Sequence, residues 1–300
     1  MSASVNTVVG RALWRLGAFA LAWIFVQVIA ESLVGPLFAA ASRAAGEPIP
    51  MYPFTMLAGC VGGCWAGWRY QFTAPWERLG FDAAAWHPAR WLGGFAIGSL
   101  AISATAALLW AAGFVRFDST PLAVGGVMAD TWSGTALRLL VLLAPSALWE
   151  EIAFRGYLQA VAREAGNSDT IARLAQAVAF GAIHLTNPGA GVRTTLIVML
   201  AGWCLALVRE RSGLAAAWTA HLAWNWVMAA VLHMPVSGLP FATPGYRAVV
   251  TGPEWLTGGS WGPEGGAFAA LVLGAAAFVA QRRRLTQLPP ESPSSQLARS

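Results

Sequence analysis

Long apolar runs separated by short polar intervals organise this chain. Eight of them approach the roughly 20 residues that a helix needs to cross the hydrocarbon layer of a bilayer. They cover residues 14–40, 54–70, 91–114, 134–160, 171–186, 193–209, 214–233 and 266–281. The pattern predicts an all-α membrane protein of about eight transmembrane helices enclosing a polar intramembrane cavity. The first run is longer than a signal-peptide core and lacks a clean small-x-small cleavage site, so it reads as a retained span. No internal repeat of fixed period interrupts the series, which predicts one membrane domain over residues 1–284. Beyond it, LTQLPPESPSSQLARS is rich in Pro, Ser and Gln and predicts a disordered tail over 285–300.

Arginine placement orients these runs. Arg11 and Arg15, then Arg69, Arg78 and Arg90, then Arg163 and Arg173, then Arg209 and Arg211, and finally Arg282, Arg283 and Arg284 fall on alternate loops. The opposite loops hold Arg43, Arg116, Arg193 and Arg247, with Arg138 near the same boundary. By the positive-inside rule both termini face the cytoplasm of a multi-pass plasma-membrane protein. The segment 71–90, with its prolines and spaced aromatics, predicts a cytoplasmic loop, either with an interfacial helix or as a solvated connector. On the other side, the loop 234–265 is rich in Gly and Pro, carries Trp255 and Trp261 and ends in WGPEGG. Glu264 reads there as a helix-entry residue near the last span, with a functional role as the lesser reading.

Composition agrees. Hydrophobic residues make up 57% and charged residues only 11% of the 300, against about 25% charged in soluble domains. All 19 basic residues are arginine, and with 14 acidic residues the net charge is +5. That excess sits at span ends instead of in a soluble basic stripe, which excludes a nucleic-acid partner and leaves membrane lipids. Cys60, Cys64 and Cys204 lie inside apolar runs and are odd in number, so they read as small packing residues and not as disulfides or metal ligands.

Ionisable residues inside spans are costly, about 2.5–3.5 kcal/mol each at the bilayer centre, unless they pair or line a wet cavity. The fourth run contributes Glu150, Glu151 and Arg155, the fifth His184, and the seventh His221 and Asn225. Glu151 and Arg155 are four apart in the order that favours an ion pair, while Glu150 projects about 100° away and stays unpaired in its own helix. Phe180 with His184, and His221 with Asn225, repeat the same interval. His87 and His233, in a loop and at a span end, read as solvated or interfacial.

One unpaired Glu, two His and an Asn suit hydrolysis of a polarised carbonyl. A buried carboxylate can take a proton from water, while histidine and an asparagine amide orient that water or stabilise an oxyanion. The same side chains also suit a divalent metal such as Zn, with His184, His221 and Glu150 as its ligands and water in the fourth place. The zinc-protease signature H-E-x-x-H is absent. Taken singly, each residue has a plainer role, Glu151 with Arg155 as a structural lock and His184 as a packing histidine; their coincidence favours a site.

The series E-E-x-x-x-R at Glu150, Glu151 and Arg155, F-x-x-x-H at Phe180 and His184, and H-x-x-x-N at His221 and Asn225 resembles the CPBP intramembrane proteases. That family includes the type II CAAX prenyl endopeptidases and the bacterial Abi, or bacteriocin self-immunity, proteins. The motifs occupy about residues 145–230. The resemblance implies an eight-span hydrolase with a conical cavity, in which Glu150 and His184 activate water, His221 and Asn225 stabilise the oxyanion, and Glu151, Arg155 and Phe180 support them. It implies an endopeptidase acting on a membrane-associated or lipid-modified protein or peptide, the metal being a point on which the family's metalloprotease name and its glutamate mechanism differ. A proton-coupled transporter and a non-enzymatic immunity or scaffold protein are the rival readings of the same polar residues.

Overall fold

The computed structural model describes residues 5–46, 48–71, 80, 86–125 and 131–286. Most of the interfacial segment expected over 71–90, and the expected tail beyond Thr286, lie outside these residues.

Each of the eight apolar runs forms a helix. They are α1 (Val5–Ala45), α2 (Tyr52–Gln71), α3 (Pro88–Ala111), α4 (Trp132–Glu150), which continues through a wider π-helical turn (Glu151–Leu158) into α5 (Gln159–Glu164), α6 (Asp169–Ile183), α7 (Val192–Ser212), α8 (Leu214–Trp226), prolonged by a second π turn (Val227–Val231), and, after the short α9 (Glu254–Thr257), α10 (Ala267–Thr286). Among the described residues α1, α3 and α7 are long and apolar enough to cross a membrane by length and composition. Leu13, Leu21, Phe25, Leu33, Leu92, Leu100 and Leu196 stand exposed on their flanks, as lipid-facing side chains do. The chain is thus a predominantly helical membrane protein.

One element departs from the all-helical expectation. Val115–Asp118 (β1) pairs antiparallel with Arg247–Val250 (β2), Val115 opposite Val250 and Asp118 opposite Arg247. This ribbon ties the segment after α3 to the long loop before α9. Four residues per strand carry too little alternation to be read from sequence.

Small residues decide which helices meet. On α2, a Cβ at Gly59 would lie 2.4 Å from Trp23 Cδ1 and one at Gly62 2.7 Å from Val26 Cγ2, so α1 lies directly on this face. Cys60 and Cys64 are fully buried free thiols on the same helix, Cys60 reaching the carbonyl of Trp149 at 3.4 Å. The packing role expected of them holds. On α3, Gly94 and Gly98 form a small-xxx-small face against α8: added Cβ atoms would sit 2.2 Å from Ala216 O and 2.0 Å from Ala220 O. Thr219 Oγ1 donates across this contact to Trp91 O at 2.9 Å.

Beside a small buried cluster of Ile197, Ala269 and Leu273, two large ones result among the described residues. One joins Phe19, Trp149, Ile152, Tyr157 and Phe180; the other joins Ile102, Leu109, Leu139, Leu143 and Met228. Tyr157 fastens α1 to the π turn by stacking on Phe19 at 4.1 Å and donating to Arg15 O at 3.1 Å.

Candidate active site

The π turn carries the first motif. Eight residues, EIAFRGYL, adopt the i→i+5 pattern, a rare geometry enriched at functional sites. Glu151 and Arg155 are both 0% exposed there. Arg155 Nη1 donates to Glu151 Oε1 at 2.9 Å, and the guanidinium lies 4.0 Å over the Phe180 ring. Gly202 on α7 leaves it room, since a Cβ there would stand 3.3 Å from Nη2. The ion pair expected from the spacing is therefore present, held by a cation–π contact the spacing did not disclose.

His221 joins both carboxylates. Its Nδ1 donates to Glu151 Oε1 at 2.9 Å, while Nε2 stands 3.8 Å from Glu150 Oε2. The sequence reading gave Glu151 to Arg155 alone; the structure shares it between Arg155 and His221. A carboxylate on one ring nitrogen fixes the imidazole's orientation and directs the other nitrogen outward. Glu150 Oε2 is closed to solvent and has no hydrogen-bond partner among the described residues. At 3.8 Å the pair is within ion-pair reach and beyond direct hydrogen-bond range.

His184 caps α6, one residue past its last turn. Its Nδ1 lies 2.7 Å from Phe180 O. A carbonyl only accepts, so Nδ1 carries the proton and Nε2 presents a lone pair in the neutral ring. Phe180 stands between the histidines, its centroid 4.8 Å from His184 and 5.8 Å from His221.

His184, His221, Asn225 and Phe180 share the wall of a cavity of about 560 Å³. The rest of that wall is largely apolar, with Ile97 and Ala101 from α3, Ile197, Val198 and Leu205 from α7, and Leu273 and Ala276 from α10. Glu150 is not part of the lining, and among the described residues no hydrogen bond joins it to His184. The structure thus brings His184, His221 and Asn225 onto one surface, with Glu150 next to it at 3.8 Å from His221 Nε2.

Two histidines and a carboxylate with both Nδ1 atoms already committed leave Nε2 lone pairs of the kind a metal takes. Among the described residues, however, no three His, Cys, Asp or Glu side chains are gathered closely enough to hold an ion. The arrangement as it stands does not fit the divalent-metal alternative open to His184, His221 and Glu150.

The remaining residues fall outside the cluster. His87 caps α3, its Nδ1 accepting from Ala89 N at 3.3 Å. His233, expected to be interfacial or solvated, is 4% exposed, stacked on Tyr246 at 4.1 Å and donating from Nδ1 to Tyr246 O at 2.7 Å. The long loop folds back over it. Glu264, read as a helix-start residue, lines the same cavity as His184 and Asn225.

Comparison with known proteins bears on this cluster. Residues 132–227, about a third of the chain and the stretch from α4 to the end of α8, match the family model for type II CAAX prenyl endopeptidase Rce1-like proteins. No curated protein and no solved structure matches the chain. All three motifs fall inside the matched stretch, and over it the chain is similar to that family of CAAX-processing intramembrane proteases.

Proposed function

We propose that this protein is an intramembrane endopeptidase that hydrolyses a peptide bond in a membrane-associated or lipid-modified protein or peptide. The observation that carries the reading is the imidazole of His221, fastened by Glu151 and facing Glu150, on a cavity it shares with His184 and Asn225.

In this scheme water lies between the Glu150 carboxylate and His184 Nε2. Glu150 takes one proton as the water oxygen attacks the scissile carbonyl carbon. The carbonyl π electrons move to oxygen, and that oxyanion is received by the Asn225 amide and by His221 Nε2. Because Nδ1–H is committed to Glu151, His221 donates from Nε2 only as the imidazolium, which the two carboxylates surround with opposite charge. Glu150 then returns its proton to the leaving amine as the C–N bond breaks. The Arg155–Glu151 pair fixes the donor geometry before substrate arrives, which is where electrostatic preorganisation has its value. The apolar wall suits the lipid or transmembrane portion of such a substrate.

The same proposal places eight spans in the plasma membrane with both termini cytoplasmic, supported by the apolar helices and the arginine distribution.

The test is turnover of an internally quenched farnesylated CAAX peptide by the purified protein in nanodiscs, beside a proteomic comparison of membranes containing wild type or Glu150→Ala. Glu150→Ala and His184→Ala are expected to lose about 10²–10⁴-fold in kcat, and Asn225→Ala about 10²–10³-fold. Full activity in purified Glu150→Ala on a substrate the wild type cuts would overturn the reading.

A further inference from the structure

The hydrolytic scheme leaves the WGPEGG stretch unexplained. Its glutamate, Glu264, lies in a short 3-10 turn (Pro263–Gly265) before α10 and spends both oxygens on distant partners. Oε2 accepts from Trp224 Nε1 at 2.9 Å. Oε1 accepts from Ser237 N at 2.5 Å and Ser237 Oγ at 2.6 Å. Ser237 has φ +49, a conformation that a non-glycine residue keeps only when its surroundings impose it.

Each partner leads to one half of the candidate site. Trp224 adjoins Asn225 on α8, so anchoring the indole fixes the rotation of the turn that aims the Asn225 amide at the cavity. Ser237 leads to His184: its carbonyl accepts from Asn187 Nδ2 at 3.0 Å, and Asn187 N in turn bonds His184 O at 3.1 Å. Backbone contacts stiffen the path. A Cβ at Gly238 would lie 2.1 Å from Pro188 O and one at Gly262 2.2 Å from Pro235 O, and Gly238 N donates to Trp261 O at 2.9 Å. The glycines and the glutamate of the motif are thus parts of one knot, with Glu264 the member that spans from α8 to the turn after α6.

We propose that Glu264 is a positioning residue of the active site, holding through Trp224 and Ser237 the two helix ends that carry Asn225 and His184 in register. This rests on the hydrolytic reading of those residues. It adds a fourth segment, outside the stretch that matches the family, to the machinery.

The experiment uses full-length protein in nanodiscs, with Glu264→Gln, Trp224→Phe and the double variant. In Glu264→Gln the amide oxygen still serves Ser237, but the NH2 opposes the Trp224 N–H, so one arm is cut with little change in volume. Turnover of the quenched farnesylated peptide is expected to fall about tenfold or more in kcat, with KM held within about twofold. Amide exchange of residues 184–191 and 221–227 should accelerate while that of α1 and α2 does not. Because both single changes cut the same contact, the double variant should lose no more than Glu264→Gln alone. The proposal is overturned if the two losses multiply, if exchange of both segments is unchanged, or if lost activity only tracks lost folded protein. The two readings separate cleanly: an active Glu150→Ala removes the hydrolytic scheme whatever the exchange data show, whereas an inactive Glu150→Ala beside an unaffected Glu264→Gln removes only this one.

Discussion

The contact between α3 and α8 gives a sharp test of how the site is held. Gly98 lies against the backbone that precedes His221, and an alanine there would place its Cβ 2.0 Å from Ala220 O and 2.8 Å from Ala220 C. Real Cβ contacts essentially never fall below 3.0 Å, so the helices must part by about 1 Å. Carbonyl and Cβ are both backbone-fixed, and no side-chain rotation relieves the clash. Overpacking of this kind costs about 1–3 kcal/mol. If α8 takes the whole displacement, His221 moves by about 1 Å against a 2.9 Å hydrogen bond to Glu151, enough to spoil its geometry. Misplacement by about 1 Å costs on the order of 10²-fold in rate. Gly98→Ala should therefore lower the thermal midpoint in detergent and cut kcat on the quenched peptide about a hundredfold. Gly93→Ala on the same helix is the control: a Cβ there meets nothing within 4 Å, and better helix propensity should leave it as stable as wild type or up to about 1 kcal/mol more so. If Gly98→Ala matched Gly93→Ala in stability and turnover, the close approach would not be what places His221.

Further outcomes follow from the charged clusters. Glu151→Gln leaves Arg155 buried without its counter-charge, a change worth about 3–5 kcal/mol; Glu151→Gln with Arg155→Met should regain much of that stability in denaturant titrations yet stay inactive, and recovery of turnover would show that Glu151 serves the fold alone. Glu210 gathers Arg163 at 2.8 Å, Gln159 at 3.1 Å and Arg173 at 3.3 Å through one oxygen, so Glu210→Ala should destabilise by about 3 kcal/mol, and a thermal midpoint equal to wild type would refute that. In the long loop, burial pushes the Tyr246 phenol above its ordinary value of 10.0, and its OH donates to Val231 O at 2.7 Å. The folded state therefore holds this proton more tightly than the unfolded chain: the contribution is complete below about pH 10 and is lost as pH rises through the raised value. Tyr246→Phe should cost about 1 kcal/mol at neutral pH and flatten the alkaline limb of a stability–pH profile, and an unchanged limb would assign that limb to other groups.

Much of this site was legible because its signals are local. Apolar run length found the helices, and the interval of four paired Glu151 with Arg155 and set Phe180 beside His184. What escaped depends on contacts between segments far apart in the chain. Nothing in EIAFRGYL announces a π turn, and the tie from Glu151 to His221 spans 70 residues. Residues 1–130 showed no motif, yet Gly94 and Gly98 press α3 onto the helix bearing His221; glycines four apart are common in membrane helices and become a signal only when the opposing backbone is known. His233 follows a span and reads only as interfacial or solvated from sequence; the ring of Tyr246 stacked on it is a contact between residues 13 apart that no local pattern discloses. Glu264 reads from its neighbours first as a helix-entry residue and only second as functional, because its partners Ser237 and Trp224 lie 27 and 40 residues away.

The π turn at Glu151–Leu158 has one last consequence, for the chain's tolerance of length change. A turn of this kind holds a surplus residue relative to an α-helix, so the rod from Trp132 to Glu164 is longer by one than its span requires. Deletion of Ala153 should let the rod heal into continuous α-helix with α5 still docked on α6, a rare place where a membrane helix absorbs a lost residue without unfolding. The carboxylates before the deletion would then face a shifted Arg155 and Phe180. The protein would keep its shape and lose its site, separating what the extra residue does for function from what the helix needs to stand.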